Sequence, residues 1–175
     1  MGRSTILMLG DSLVDYGNWR KLLPQYTVIS RGMPGERAEG LLWRLPSCMD
    51  FSPVDAISLM TGTNNLFTGP ANFTGTIRTI AQNLQQNYPD APLMINSLVP
   101  FQIPGFQEII RTINNELDSL ASETGACYLD LYAPFEKARE PMFEFDGVHF
   151  SPHGYHLWAD LLSGKLITLL AKESD

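Results

Sequence analysis

The sequence predicts an α/β fold organised on a parallel five-stranded sheet, and three observations carry that prediction. Short apolar or β-branched runs alternate with segments of helical periodicity along the whole chain. Most of the runs are continuously apolar, the pattern of strands covered by helices on both faces rather than strands with one wet face. The polar, glycine-bearing punctuation follows the strands directly, at the rim where open parallel sheets gather their ligand sites.

Ser4-Thr5-Ile6-Leu7-Met8-Leu9 is an apolar run too short for a helix and suits a buried first strand. Tyr16 to Leu23 predicts a first helix, stopped by Pro24, and Tyr26-Thr27-Val28-Ile29-Ser30 a β-branched second strand. Glu39 to Met49 carries Leu41, Leu42 and Leu45 at helical spacing, with Pro46 weakening its end. Asp55 to Met60 reads as the third strand. Phe73 to Tyr88 then places Ile77, Ile80, Ala81 and Leu84 on one helical face, with Pro89 as the stop. Pro92 to Leu98 is the fourth strand, and Phe106 to Thr124 a long amphipathic helix closed by Gly125, a favoured C-cap residue. Ala126 to Leu131 supplies a short fifth strand and Ser151 to Lys172 the last helix. Right-handed crossovers between these strands lead to a flavodoxin-like sheet of order 2-1-3-4-5. The irregular regions are Met33 to Arg37, Phe67 to Asn72, Val99 to Gly105 and Pro134 to Val148, and only the last is long.

At 175 residues the chain suffices for one domain with a large core and is too short for two, so residues 1–175 read as a single domain. Hydrophobic residues at 44% and charged residues at 18% exclude disordered and fibrous classes. Twelve basic against nineteen acidic residues leave a net charge of −7. With no basic face to displace counterions, neither nucleic acid nor an anionic membrane is an expected partner. No apolar run approaches bilayer length, and the N-terminus lacks a basic segment followed by an apolar stretch. These features predict a cytoplasmic protein without stable membrane insertion, while a removed leader would leave no trace. Cys48 and Cys127 are too few to staple a domain of this size and read as buried free thiols.

Gly10-Asp11-Ser12 stands where the first strand gives way to a helix. A serine there has its hydroxyl lifted out of the sheet with its own N–H pointing the same way, the place of a nucleophile. Gly, Asp and Ser are equally the residues of a plain turn and N-cap, and the tripeptide alone leaves both readings open. Its company tips the balance. Ser30-Arg31-Gly32-Met33-Pro34-Gly35-Glu36 follows the second strand, Gly62-Thr63-Asn64-Asn65 follows the third, and Phe145-Asp146-Gly147-Val148-His149-Phe150 precedes the last helix, so all four fall at one rim. Serine hydrolysis needs a nucleophile, a base, a group that holds the base in one tautomer, and donors for the developing oxyanion. Asp146 and His149 lie three residues apart, so one turn of chain can aim both at one place, with Asp146 accepting from one imidazole nitrogen while the other faces Ser12. The candidate oxyanion donors are the N–H of Ser12, the N–H of Gly35, where a missing Cβ permits close approach, and the side-chain amide of Asn64, which donates without charge.

On these residues the chain resembles the SGNH, or GDSL-type, hydrolases over its whole length. Leu9-Gly10-Asp11-Ser12-Leu13 matches the serine block, Arg31-Gly32-Met33-Pro34-Gly35 the glycine block, Gly62-Thr63-Asn64-Asn65 the asparagine block and Asp146-Gly147-Val148-His149 the final block, in that order. The resemblance implies that Ser12 is the nucleophile, that Gly35 and Asn64 complete the oxyanion hole, that His149 is the base and that Asp146 is its orienting acid. It further implies a three-layer α/β/α sandwich and hydrolysis of small-molecule esters or thioesters without a cofactor. Two departures stand out. The asparagine block usually continues with Asp where this chain has Asn65, which bears on the loop's hydrogen bonds rather than on the chemistry. Of the two glycines Gly32 and Gly35, the second holds the position of the family's donor.

The remaining polar residues read as structural. Asp11 and Asp15 cap the first helix or brace the serine loop. His153 and His156 have no carboxylate or cysteine partner at metal-ligand spacing, so no metal is expected, and both belong to the surface or end of the last helix. Gly32-Met33-Pro34-Gly35 has neither the Lys-Ser/Thr of a phosphate loop nor the glycine spacing of a dinucleotide fingerprint. Leu66, Phe67, Phe101, Ile103, Phe106, Met142 and Phe143 flank the rim, either as core or as the wall of an acyl pocket. The stretch before Asp146, with Phe135, Pro141, Met142, Phe143 and Phe145, has the length of a partial lid. Ester hydrolysis leads these readings. The same site would also serve a carbohydrate O-deacetylase or a hydrolase of lysophospholipids or acyl thioesters. From another class, a non-catalytic flavodoxin-like binding module would share the fold but have no reason to activate a serine.

Overall fold

Five strands run parallel in the order β2-β1-β3-β4-β5 in the computed structural model, which describes residues 2–69 and 72–171. They are β1 (Thr5–Gly10), β2 (Thr27–Gly32), β3 (Ala56–Met60), β4 (Leu93–Asn96) and β5 (Cys127–Leu129). The helices are α1 (Ser12–Asp15), α2 (Trp19–Leu22), α3 (Ala38–Cys48), α4 (Thr63–Thr68), α5 (Thr74–Asn87), α6 (Gln107–Thr124), α7 (Tyr132–Lys137) and α8 (Pro152–Ala171). Ile6 to Leu9 are sealed on both faces, as their unbroken apolar character requires, and Ile57 to Met60 are equally buried although Ser58 interrupts them. α3, α5 and α6 pack side by side as one layer, while α2 and α7 lie against α8 in the other. The result is the α/β/α sandwich that the sequence predicts.

The second layer is pinned to the sheet through one indole. Trp158 of α8 is buried and packs edge-on to Trp19 of α2, with centroids 4.8 Å apart. Its Nε1–H donates to Asn96 Oδ1 at the end of β4 at 3.0 Å, and Asn96 Nδ2 in turn donates to Ser58 Oγ and the Leu59 carbonyl, each at 2.9 Å. A buried amide left without such partners would cost about 1–3 kcal/mol, so this chain of bonds fixes where α8, and the loop that leads into it, must lie.

The structure departs from the sequence reading at several points, among them α4 and α7, two helices that the reading does not contain. The helix expected over Tyr16 to Leu23 is two short ones. α1 already begins at Ser12, and Gly17, whose missing Cβ makes room for the Trp19 ring, breaks the path before α2. β4 stops at Asn96 because side chains take over the next backbone groups: Asn114 Oδ1 accepts from Leu98 N–H at 2.8 Å, and Asn114 Nδ2 donates to the Leu98 carbonyl at 2.9 Å. Cys127 lies on the edge strand β5 and is half-buried rather than buried, whereas Cys48 is enclosed.

The long stretch before Asp146 is anchored in the core at several points. Its start is helical as α7, Phe135, Met142 and Phe143 enter the core, and Phe143 forms an antiparallel bridge with Phe150. Phe101, Met142 and Phe143 are therefore core residues. Phe67 and Phe106 are half-buried, and Phe67 packs on both Phe106 and Phe101 at 5.1 and 5.9 Å.

Candidate active site

Gly10 ends β1 against the Met60 carbonyl oxygen of β3, and any Cβ there would overlap that oxygen. The chain can therefore turn sharply out of the sheet at this point only with glycine. Asp11 follows as the N-cap of α1, its carboxylate accepting from the Leu13 N–H at 3.0 Å. Ser12 is then the first helical residue, 8% exposed, with its hydroxyl at the carboxyl rim of the sheet.

The loop between the Phe143–Phe150 bridge partners brings the other two side chains. Glu144 N–H donates to the His149 carbonyl at 2.7 Å, and Gly147, at φ +71°, donates to the Glu144 carbonyl at 2.9 Å. Asp146 Oδ1 accepts from the Val148 and His149 N–H groups, both at 2.9 Å, which fixes the carboxylate on its own turn. Its Oδ2 lies 2.6 Å from His149 Nδ1, and His149 Nε2 lies 3.0 Å from Ser12 Oγ. Ser151 caps α8 directly behind, its Oγ accepting from Gly154 N–H and donating to the Pro141 carbonyl. Tyr16 leans on the imidazole, with ring centroids 5.2 Å apart.

The two aspartates are pushed in opposite directions. The hydrogen bond from His149, assisted by the Val148 and His149 N–H groups, holds Asp146 down at about 2. It is thus an anion throughout the neutral range, and what its charge contributes is lost only as pH falls from about 4 through 2. Burial raises Asp11 to about 6, against the pull of the Leu13 N–H.

Gly35 and Asn64 border the same turn. Met33 to Glu36 form a β-turn closed by Glu36 N–H on the Met33 carbonyl at 3.2 Å, with Pro34 and Gly35 at its centre. Gly35 has φ +75°, the left-handed position that follows proline in a type II turn. A Cβ at Gly35 would meet nothing within 4 Å, so backbone conformation rather than close approach demands glycine there. At Gly32 the reverse holds, because a Cβ would overlap the backbone of Asp15. Asn64, on the first turn of α4, directs Nδ2 to the Glu36 carbonyl at 3.0 Å and lies 3.4 Å from Asp11 Oδ2. Two residues that sequence reasoning missed complete this corner: the Glu36 carboxylate and the Arg44 guanidinium of α3 form an enclosed ion pair at 2.6 Å.

Asn65, the departure from the usual aspartate, is buried and uses both ends of its amide. Oδ1 accepts from Ala38 N–H at 2.9 Å, at the start of α3, and Nδ2 donates to the Glu39 carboxylate at 2.9 and 3.2 Å. An aspartate could keep only the first bond and would set two carboxylates face to face. Asn65→Asp is therefore expected to destabilise the protein by roughly 1–3 kcal/mol, measured by urea unfolding at pH 7; a variant as stable as the parent would show that the Glu39 contact contributes nothing.

A cavity of about 810 Å³ opens beside His149, walled by Tyr16, Leu22, Phe150 and Tyr155, with Lys21 and Glu144 among its polar residues. Among the described residues no cluster of three or more His, Cys, Asp or Glu side chains could hold a metal ion, and His153 and His156 are exposed on α8. Among the same residues no helix is long and apolar enough to cross a membrane.

Residues 8–157 match the GDSL-like Lipase/Acylhydrolase family. The chain is 27% identical to the human platelet-activating factor acetylhydrolase IB subunit alpha1 over 179 aligned positions, which cover 96% of this chain and 78% of that protein. A Streptococcus pneumonia structure provisionally described as a platelet activating factor superposes with a TM-score of 0.82 at 25% identity, covering 95% of this chain and 85% of its own. The acetylxylan esterase Axe2 of Geobacillus stearothermophilus, in its H194A form, shares the fold with a TM-score of 0.76 at 16% identity, over 97% of this chain and 95% of its own.

Proposed function

Because the chain belongs to the GDSL-like lipase/acylhydrolase family and is a carboxylic ester hydrolase, we propose that it cleaves short-chain acyl esters through Ser12, His149 and Asp146. The observation that supports this best is the unbroken chain of hydrogen bonds from Ser12 Oγ through the imidazole to Asp146, 3.0 and 2.6 Å long. In this reading Ser12 Oγ attacks the acyl carbon while His149 Nε2 takes its proton. Asp146 accepts from Nδ1–H, so Nε2 is left as the acceptor and the imidazolium that forms sits beside a carboxylate that stays ionised. The oxyanion develops toward the N–H of Ser12, which as a first-turn helical residue has no carbonyl partner within α1, and toward Gly35 N–H and Asn64 Nδ2. Collapse breaks the bond to the leaving oxygen, which collects the proton from His149. Water, deprotonated by the same imidazole, then releases the acyl group as the free acid.

The acyl part is small in this proposal. The flank formed by Phe67, Phe101 and Phe106 is filled by their mutual packing, and two of the relatives named above carry acetyl groups in their names. The leaving alcohol faces the cavity beside His149, the residue that must protonate it. A series of p-nitrophenyl esters from acetyl to octanoyl tests the first statement: kcat/KM is expected to fall at least about tenfold along it. A maximum at octanoyl would overturn the short-chain assignment while leaving ester hydrolysis intact.

A further inference from the structure

We propose that Glu36, locked in place by Arg44, is a positioning residue that sets two oxyanion donors at once. The inference rests on the reading of Gly35 and Asn64 as those donors. It starts from an arrangement that fold stability alone does not call for. The Arg44 and Glu36 side chains are only 12% and 7% exposed, and the contact is fork on fork, with Nε and Nη2 each 2.6 Å from one carboxylate oxygen. Removing both charges from water is costly, and apolar side chains of similar volume commonly hold such a place at no loss of stability.

What the pair does is connect. Arg44 Nη2 also donates to the Arg31 carbonyl at 2.9 Å and lies 3.4 Å from the Gly10 carbonyl, so the guanidinium is fixed to the ends of β1 and β2, one and two residues from Gly32 and Ser12. Nη1 reaches the Cys48 sulfur at 2.8 Å, one turn further along α3. Glu36 is thereby tied to the rigid rim of the sheet. Its backbone carries the consequence in two directions. It follows Gly35 directly, so fixing Glu36 fixes the plane of the turn in which the Gly35 N–H lies. Its carbonyl accepts from Asn64 Nδ2 at 3.0 Å, and since a carbonyl can only accept, it holds the NH₂ end of that amide on this side. An Asn64 side chain rotated by half a turn would offer an oxygen to the oxyanion and repel it. Arg44 is the right cation for the task, because a lysine could not fork across both carboxylate oxygens while also holding the Arg31 carbonyl.

The test replaces the pair by an apolar one, Glu36→Leu with Arg44→Met, so that no unpartnered charge is left in the interior, and compares it with Asn64→Ala. The folded fraction is verified by circular dichroism and thermal melting. The expected result for the double variant is a fall in kcat on the order of 10–100-fold with KM within about twofold, because the oxyanion exists only after attack. In an Asn64→Ala background the same pair of changes is expected to cost less, since one of the two donors it positions is already gone. A pair that merely secured α3 would lower the melting temperature and leave kcat per folded molecule unchanged. That outcome, alongside a kcat loss of about 100-fold in Asn64→Ala, would overturn the inference and leave the oxyanion assignment standing. If Asn64→Ala itself retained full kcat, the oxyanion assignment would fall, and this inference with it.

Discussion

Ser12→Ala is expected to hydrolyse p-nitrophenyl acetate on the order of 10⁴-fold more slowly than the parent, or worse, with the fold retained. The hydroxyl makes its side-chain contact with His149, and that contact lies at the rim rather than in the core. The turn that carries the serine is built by other groups: Gly10 against the Met60 carbonyl, the Asp11 cap on Leu13, and Tyr155, whose hydroxyl donates to the Leu13 carbonyl at 3.0 Å. None of these is touched by the substitution, so thermal melting should move little while turnover disappears. A fluorophosphonate probe supplies an independent measure, with about one equivalent incorporated by the parent and none by the variant. Turnover retained by Ser12→Ala would remove the serine from the chemistry. A parent chain that neither turned over nor took the label would instead fit the binding-module alternative.

The sheet was readable from sequence because most strands are apolar or β-branched runs, and burial on both faces leaves no other use for such a run as Ile6 to Leu9. What escaped was local competition. The helix after β1 divides because the Trp19 indole, two residues on, lies over Gly17, and β4 ends early because Asn114, sixteen residues away, captures Leu98; neither contact is marked by a pattern. The aromatic residues around the rim were ambiguous for a related reason. Hydrophobicity alone does not distinguish a wall from a core, and Phe101, Met142 and Phe143 turned inward.

The site divides in the same way. Ser12, Asp146 and His149 were legible because each lies in a short motif and all the motifs fall at one rim, and the hydrogen-bond chain joins those three. Glu36 and Arg44 were not, because eight positions separate them across a turn and the start of a helix, and a lone arginine in Leu41-Leu42-Trp43-Arg44-Leu45 reads as the solvated edge of an apolar helix. Asn65 was legible as a supporting residue. Its double use, toward Ala38 and Glu39, required the three-dimensional partner to be seen.

His149→Ala is expected to lose activity on a scale similar to Ser12→Ala, on the order of 10⁴-fold, because the base and the acid of both half-reactions vanish together. Asp146→Asn separates the roles of geometry and charge. The asparagine carbonyl can still accept from Val148 and His149 N–H, so the turn should keep its shape. Its amide, however, would present a donor to Nδ1, which must then become the acceptor, leaving the proton on Nε2, where it faces Ser12 and blocks deprotonation. Against that loss, the Asp146 side chain is half exposed, so water can rotate into the place of the missing acceptor and solvate the imidazolium, while the Tyr16 ring still steadies the imidazole plane. The expected deficit is therefore smaller, roughly 10²–10³-fold in kcat, with KM for p-nitrophenyl acetate little changed. Parallel kcat measurements on the two variants decide it. Equal losses would mean that Asp146 acts as indispensably as the base itself, and an unimpaired Asp146→Asn would mean that the 2.6 Å contact orients a histidine that needs no orienting.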